Sequence, residues 1–189
     1  MTIVMRKVNV FNFITLNGYY KGPDEDTSWH EHGKSEEGEF AAESANSKST
    51  LLFGRKTYEM MAGFWPTPAG EQLAPEVAKG MNESEKIVFS RSLKRAEWNN
   101  TKIVRDKMID VVKDLKGQSG DDMVVLGSGS IVTQLADAGL VDTFQFLIDP
   151  VAIGSGTPIF KDLTKKLDLR LAQSRIFKSG AVLLTYETF

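Results

Sequence analysis

Apolar residues recur along this chain at two spacings, and the switches between them predict its elements. Val8, Val10, Phe11, Phe13 and Ile14 form a β-rich, mostly apolar run that reads as a buried strand, closed by the turn signal Asn17-Gly18. A polar stretch over 17–35 follows, with Gly22-Pro23-Asp24 at its centre and Trp29 near its end. A loop of that length is either a functional lid or a surface excursion. Residues 36–48 suit a helix with Phe40, Ala41 and Ala45 on one face, and Leu51-Leu52-Phe53 suits a short buried strand ending at Gly54. A helix over 56–62 meets its stops at Gly63 and Pro66, and Pro75 suits the first turn of another that reaches Met81.

The second half alternates more cleanly. Lys86–Phe89 and Thr101–Val104 read as strands, and Met108, Val111, Val112 and Leu115 stand at helical spacing ahead of Gly117. An apolar strand over 123–126 runs into Gly127-Ser128-Gly129-Ser130, and a helix carrying Ile131, Val132, Leu135 and Ala136 ends near Gly139. Residues 141–153 form a long strand in which Pro150 marks a bulge or an edge position, and strands over 167–175 and 181–187 close the chain. Strands alternate with helices through residue 140, and three strands then follow in succession. That order predicts an α/β fold with a mostly parallel sheet and an antiparallel C-terminal edge. A length of 189 residues favours one domain over 1–189.

Composition narrows the chemistry. The chain has no cysteine, so disulfides, thiolate metal sites and cysteine nucleophiles are excluded. Its formal net charge is −2 with no basic stripe, which argues against nucleic acid as a partner. Asn9, Asn12, Thr15 and Asn17 interrupt the first apolar stretch, which is not a targeting signal, and no run is long enough for a membrane helix. A cytoplasmic address is the default expectation.

Three strand ends could hold an anion. At Gly127-Ser128-Gly129-Ser130 two glycines permit close backbone approach, and the helix that follows presents its first N–H groups. The same pattern also serves as a plain turn with a serine cap. Val132 stands where a Rossmann fingerprint would carry its third glycine, and no serine has the G-x-S-x-G spacing of a nucleophile elbow. At Gly54-Arg55-Lys56-Thr57 two cations open a helix, against the macrodipole; either an anion sits there or both side chains are simply solvated. Phe89-Ser90-Arg91-Ser92 is the third. A dinucleotide with a pyrophosphate and one extra phosphate would use all three.

The remaining candidates are weaker. His30 and His32 form H-x-H, too few ligands for a metal site, so no metal is expected. Glu36, Glu37 and Glu39 cluster at a helix start, where the dipole alone explains them, although one could relay a proton.

These residues resemble a known family. Phe53-Gly54-Arg55-Lys56-Thr57-Tyr58-Glu59 is similar to the cofactor-binding strand-to-helix motif of dihydrofolate reductase, and Leu126-Gly127-Ser128-Gly129-Ser130 to its later glycine pair. The run from Asp149 to Phe160 and the turn Leu16-Asn17-Gly18-Tyr19 look more like the pyrimidine reductase of riboflavin biosynthesis, which usually has aspartate where Asn17 stands. The resemblance implies a dihydrofolate-reductase-like fold, a twisted and mostly parallel sheet with helices on both faces. It implies NADPH, with Gly54, Arg55, Lys56 and Thr57 on phosphates and Ser90 and Arg91 on the ribose 2′-phosphate. Gly127, Ser128, Gly129, Ser130 and Ile131 would cradle the pyrophosphate, and the nicotinamide would lie near Phe13 and Thr15.

Asn17, Trp29, Phe40 and Met61 would bound the substrate pocket, with Glu39 relaying a proton. The implied activity is hydride transfer to a small heterocycle, as in 5-amino-6-(5-phosphoribosylamino)uracil reductase. A true dihydrofolate reductase and a non-catalytic nucleotide-binding module are the alternatives. Relatives often pair, so a homodimer is the analogy-based expectation.

Overall fold

A computed structural model describes residues 5–30 and 36–189. In chain order the strands are β1 (Val8–Thr15), β2 (Tyr19–Lys21), β3 (Thr50–Gly54), β4 (Lys86–Phe89), β5 (Thr101–Val104), β6 (Met123–Leu126), β7 (Thr143–Asp149), β8 (Thr157–Pro158), β9 (Leu169–Ile176) and β10 (Val182–Thr188). The helices are α1 (Glu36–Asn46), α2 (Arg55–Ala62), α3 (Pro68–Leu73), α4 (Pro75–Glu83), α5 (Met108–Lys116) and α6 (Gly129–Asp137). The chain divides into two compact units, one of residues 1–6 and 32–124, the other of residues 7–31 and 125–189.

In the first unit β5, β4 and β3 lie side by side and parallel. The near-continuous apolar reading of β3 follows from burial on both of its faces: Leu52 and Phe53 are wholly inaccessible, as is Val88 of β4. Phe53, Tyr58 and Trp98 form a ring cluster with centroids 6.1–6.4 Å apart. Helix α4 packs against both α1 and α3.

The second unit, which resumes within β6 at Val125, carries the strand order β1-β7-β10-β9. Strand β1 runs parallel to β7, and β10 is antiparallel to both β7 and β9. The expected mixture of a parallel sheet and an antiparallel C-terminal edge is therefore present. Val8, Val10, Phe144 and Leu147 are fully buried. Helix α6 stops where the sequence indicates: Gly139 takes φ +66°, its N–H donates to the Ala136 carbonyl at 2.9 Å, and the Leu140 N–H reaches Leu135 at 3.0 Å. That pair of bonds is a Schellman ending, and the positive φ is why glycine stands there.

Three expectations need correction. The strand over 141–153 is shorter, Thr143–Asp149, because the chain leaves the ladder before Pro150 instead of bulging around it. The stretch over 17–35 is not bare loop: β2 pairs antiparallel with β8, and a short 3₁₀ turn follows at Pro23–Glu25. Helix α3 replaces what read as a breaker region, with Pro68 in its first turn and the Thr67 hydroxyl accepting the Gly70 N–H at 3.4 Å. His32 lies outside the described residues.

Candidate functional site

In the second unit, strand β6 ends in Gly127 at φ 59° and Ser128 at φ 55°, and α6 starts at once. A non-glycine residue in the left-handed region costs about 1–2 kcal/mol, so this turn holds Ser128 in place against strain. The Ser128 carbonyl accepts the N–H groups of Ile131 and Val132 at 2.8 and 3.1 Å, while its hydroxyl does not cap the helix. A methyl group on Gly129 would come within 2.9 Å of the Tyr20 ring. The second glycine thus makes room for Tyr20, whose aromatic edge lies against the start of α6. Glycine freedom, a helix N-terminus and a strained polar residue are the features an anion site needs. The residues fit a phosphate.

Beside it, the turn after β1 is tied down by its own polar groups. Thr15 is fully buried; its Oγ1 donates to Asn17 Oδ1 at 2.8 Å and accepts the Tyr19 N–H at 3.0 Å. Asn17 in turn donates Nδ2 to the Ile153 carbonyl at 2.8 Å and accepts the Ile153 N–H at 3.3 Å. Both residues, expected to face ligand, serve as a latch between the turn and residues 151–153.

Phe13 has one ring face covered. The His30 imidazole stacks on it with centroids 3.8 Å apart and planes 28° apart, and Phe11 meets it edge-on at 5.2 Å. His30 is buried, and its Nδ1 lies 2.9 and 3.1 Å from the two carboxylate oxygens of Asp149. The neighbouring Trp29 keeps its Nε1 out of solvent without a hydrogen-bond partner, and such a buried orphan costs about 1–3 kcal/mol. The His30–Asp149 pair was not foreseen from the sequence. Its members stand 119 residues apart: the β1–β7 register sets Asp149 beside Thr15, and the His30 ring lies on Phe13 of β1.

The first unit holds the other candidates. Gly54 is the extended residue before α2, and Arg55 and Lys56 occupy the exposed first turn. Arg55 is bound to Glu59 one turn on, at 2.8 Å. At the end of β4 the Ser90 Oγ accepts the N–H groups of Ser92 and Leu93 at 3.2 and 3.0 Å, shaping the turn that exposes Arg91. Met61 offers its sulfur to Trp65 Nε1 at 3.0 Å, and Phe40 is half-buried. Glu39 points to solvent, whereas Glu37 of the same helix is buried, so the inward carboxylate of α1 is two residues earlier than expected. Among the described residues, no three histidine, aspartate or glutamate side chains gather as metal ligands. No helix among them is long and apolar enough to cross a membrane.

Comparison with known proteins places the class. The model of the RibD C-terminal domain matches residues 6–183, and the chain belongs to that family. It is 28% identical over 177 residues to the uncharacterized protein YyaP of Bacillus subtilis, covering 92% of this chain and 90% of that one. A putative riboflavin biosynthesis protein from Shewanella sp. PV-4 superposes with a TM-score of 0.75 at 19% identity, over 97% of this chain and 99% of the other. Dihydrofolate reductase from Enterococcus faecalis, solved in complex with NADP(H), superposes with a TM-score of 0.64 at 12% identity over 99% of both chains. The fold is dihydrofolate-reductase-like, and the resemblance to the pyrimidine reductase branch is a family relationship.

Proposed function

We propose that this protein is an NADPH-dependent reductase of a small, flat heterocyclic compound, acting on a C=N or C=O bond. The observation that carries this reading is the turn at Gly127-Ser128-Gly129, where a strained serine and a helix N-terminus are built together. Membership of the RibD C-terminal domain family supports it, as does the nucleotide held by the Enterococcus enzyme of the same fold. In this reading residues 127–131 hold the pyrophosphate, Lys56 and Thr57 hold phosphate oxygens, and Arg55 shares the 2′-phosphate with Ser90 and Arg91. The cofactor, when bound, supplies a hydride; the protein orients it and excludes water. The acceptor belongs to the chemical class of 5-amino-6-(5-phosphoribosylamino)uracil, and the site of action is the cytoplasm.

Titration of NADPH fluorescence tests the reading directly. Losing two charge-assisted hydrogen bonds of about 1.5–3 kcal/mol each should weaken NADH at least about a hundredfold relative to NADPH. Equal affinity for the two nucleotides overturns the assignment of Arg55 and Arg91. NADPH binding without consumption across a panel of imines, carbonyls and pyrimidines leaves a nucleotide-binding module and no enzyme.

A further inference from the structure

The His30–Asp149 pair has the build of a proton-transfer site. An ionised carboxylate only accepts hydrogen bonds, so the nitrogen facing it carries the proton: Nδ1 is N–H, and Nε2 is the ring's second protonation site. Two contacts then fix the imidazole. Asp149 sets its rotation at 2.9 Å, and Phe13 sets its plane at 3.8 Å. His30 keeps 7% of its surface and the Asp149 side chain 13%, so the pair is shielded from bulk water. Asp149 is the last residue of β7, in register with Thr15, the last of β1, at the carboxyl end of two parallel strands. Open α/β sheets bind ligands at that end. Alternation of side chains along each strand, with Thr15 in register with Asp149, puts Phe13, Thr15 and Asp149 on one face of the β1–β7 pair.

We propose that His30 is the proton donor of the reduction, with Asp149 as its positioning residue. This inference rests on the reductase reading above. As the acceptor carbon gains the hydride, the C=N or C=O π pair moves onto the heteroatom, and that atom takes the proton from His30 Nε2. An N–H or O–H bond forms, the Nε2–H bond breaks, and the imidazolium becomes neutral imidazole, which recovers a proton from solvent after the product leaves. The acceptor is reduced and the dihydronicotinamide oxidised, so charge and atoms balance. Glu39, exposed on α1, is not needed for this step.

A purely structural role would make the same pair a tie that pins the segment before residue 30 to β1 and β7, and the test separates the two. His30→Gln retains a donor toward Asp149, so NADPH affinity by fluorescence titration should stay within about threefold of wild type. General-acid catalysis contributes roughly 10²–10⁴-fold. Turnover of a neutral imine or carbonyl acceptor should fall by that factor, mainly in kcat. Turnover of an N-alkylated iminium acceptor, which is already cationic and needs no proton, should fall less than about threefold. Imidazole ¹⁵N NMR gives a readout apart from turnover. Wild type should show His30 with Nδ1 protonated, Asp149→Asn should lose that signature, and saturating NADP⁺ should shift the His30 resonances.

A His30→Gln enzyme that keeps turnover of the neutral acceptor, or loses both acceptors alike, overturns the proposal, and so does a His30 signal unmoved by NADP⁺. Absence of saturable NADPH binding in wild type instead defeats the reductase reading itself, and the proton-donor assignment with it.

Discussion

Asn17 grips the backbone of Ile153 with both ends of its amide, donating to the carbonyl at 2.8 Å and accepting the N–H at 3.3 Å. An amide can do both and a carboxylate cannot. Aspartate, usual at this place in the resembling branch, could accept the N–H but would turn a carboxylate oxygen toward the Ile153 carbonyl. Asn17→Asp should therefore cost about 0.5–1.5 kcal/mol of stability, the worth of one exposed hydrogen bond. Urea unfolding of the two proteins at pH 7 checks it, and unchanged stability would show that the latch contributes nothing.

Lys86 stands fully buried at the end of α4, where its ammonium donates to the carbonyls of Ser84, Asn99 and Asn82 at 2.6, 3.1 and 3.2 Å and lies 4.5 Å from the Trp98 ring. All three of its protons are used, and the α4 carbonyls favour a cation at that end. Burial nonetheless pushes its pKa down to about 8 from 10.5. Between those values the unfolded chain binds more protons than the folded one, so the contribution of Lys86 to stability rises with pH across the window. Below it the full cost applies, of order 3 kcal/mol. Urea unfolding between pH 7.5 and 10 should show wild type gaining stability relative to Lys86→Met. Parallel pH profiles for the two would remove Lys86 from the account.

How much of this was legible depends on how local each signal is. β4 and β5 match their sequence reading because apolar runs bounded by polar residues carry their own limits. Helix α3 and strand β8 did not show. Six and two residues cannot display a period, and what defines them is a Thr67 cap and pairing with β2. The carboxylate register on α1 was legible and was misread: Glu37 precedes Phe40 and Ala41 by three and four positions, so it shares their face, while Glu39 does not. The strand-to-helix turn at residues 127–129 announced itself through glycine. The His30–Asp149 pair could not, since neither residue carries a local mark of its partner 119 positions away.

Gly156 sets a limit on the segment that backs β2. A methyl group there would fall 2.3 Å from the Lys21 carbonyl oxygen, a backbone atom that cannot step aside. Gly156→Ala must push residues 154–158 away from β2, disturbing the pairing of Tyr19 with Pro158 and Lys21 with Thr157. A loss of about 1–3 kcal/mol is expected, as for other overpacked sites. Gly154→Ala is the control, because a methyl group there meets nothing within 4 Å. Equal unfolding midpoints for the two variants would mean the loop relaxes freely.

Arg55 offers the sharpest test of the phosphate assignment because it already has a partner. Its guanidinium is held by Glu59 at 2.8 Å, with both side chains more than 40% exposed, and a helix pair of this kind is worth about 0.3–0.5 kcal/mol. A phosphate bound through Arg55 gains about 1.5–3 kcal/mol, so the nucleotide wins the competition and the carboxylate acts as a weak brake. Two opposite changes follow. Arg55→Ala should weaken NADPH by about tenfold or more while leaving NADH nearly unaltered. Glu59→Gln should tighten NADPH by about twofold, because it removes both the competitor and a negative charge beside the 2′-phosphate. Fluorescence titration with both nucleotides reads each change. Equal losses for NADPH and NADH in Arg55→Ala would move this arginine from the extra phosphate to a group the two nucleotides share, and no loss in either would leave it an ordinary surface pair.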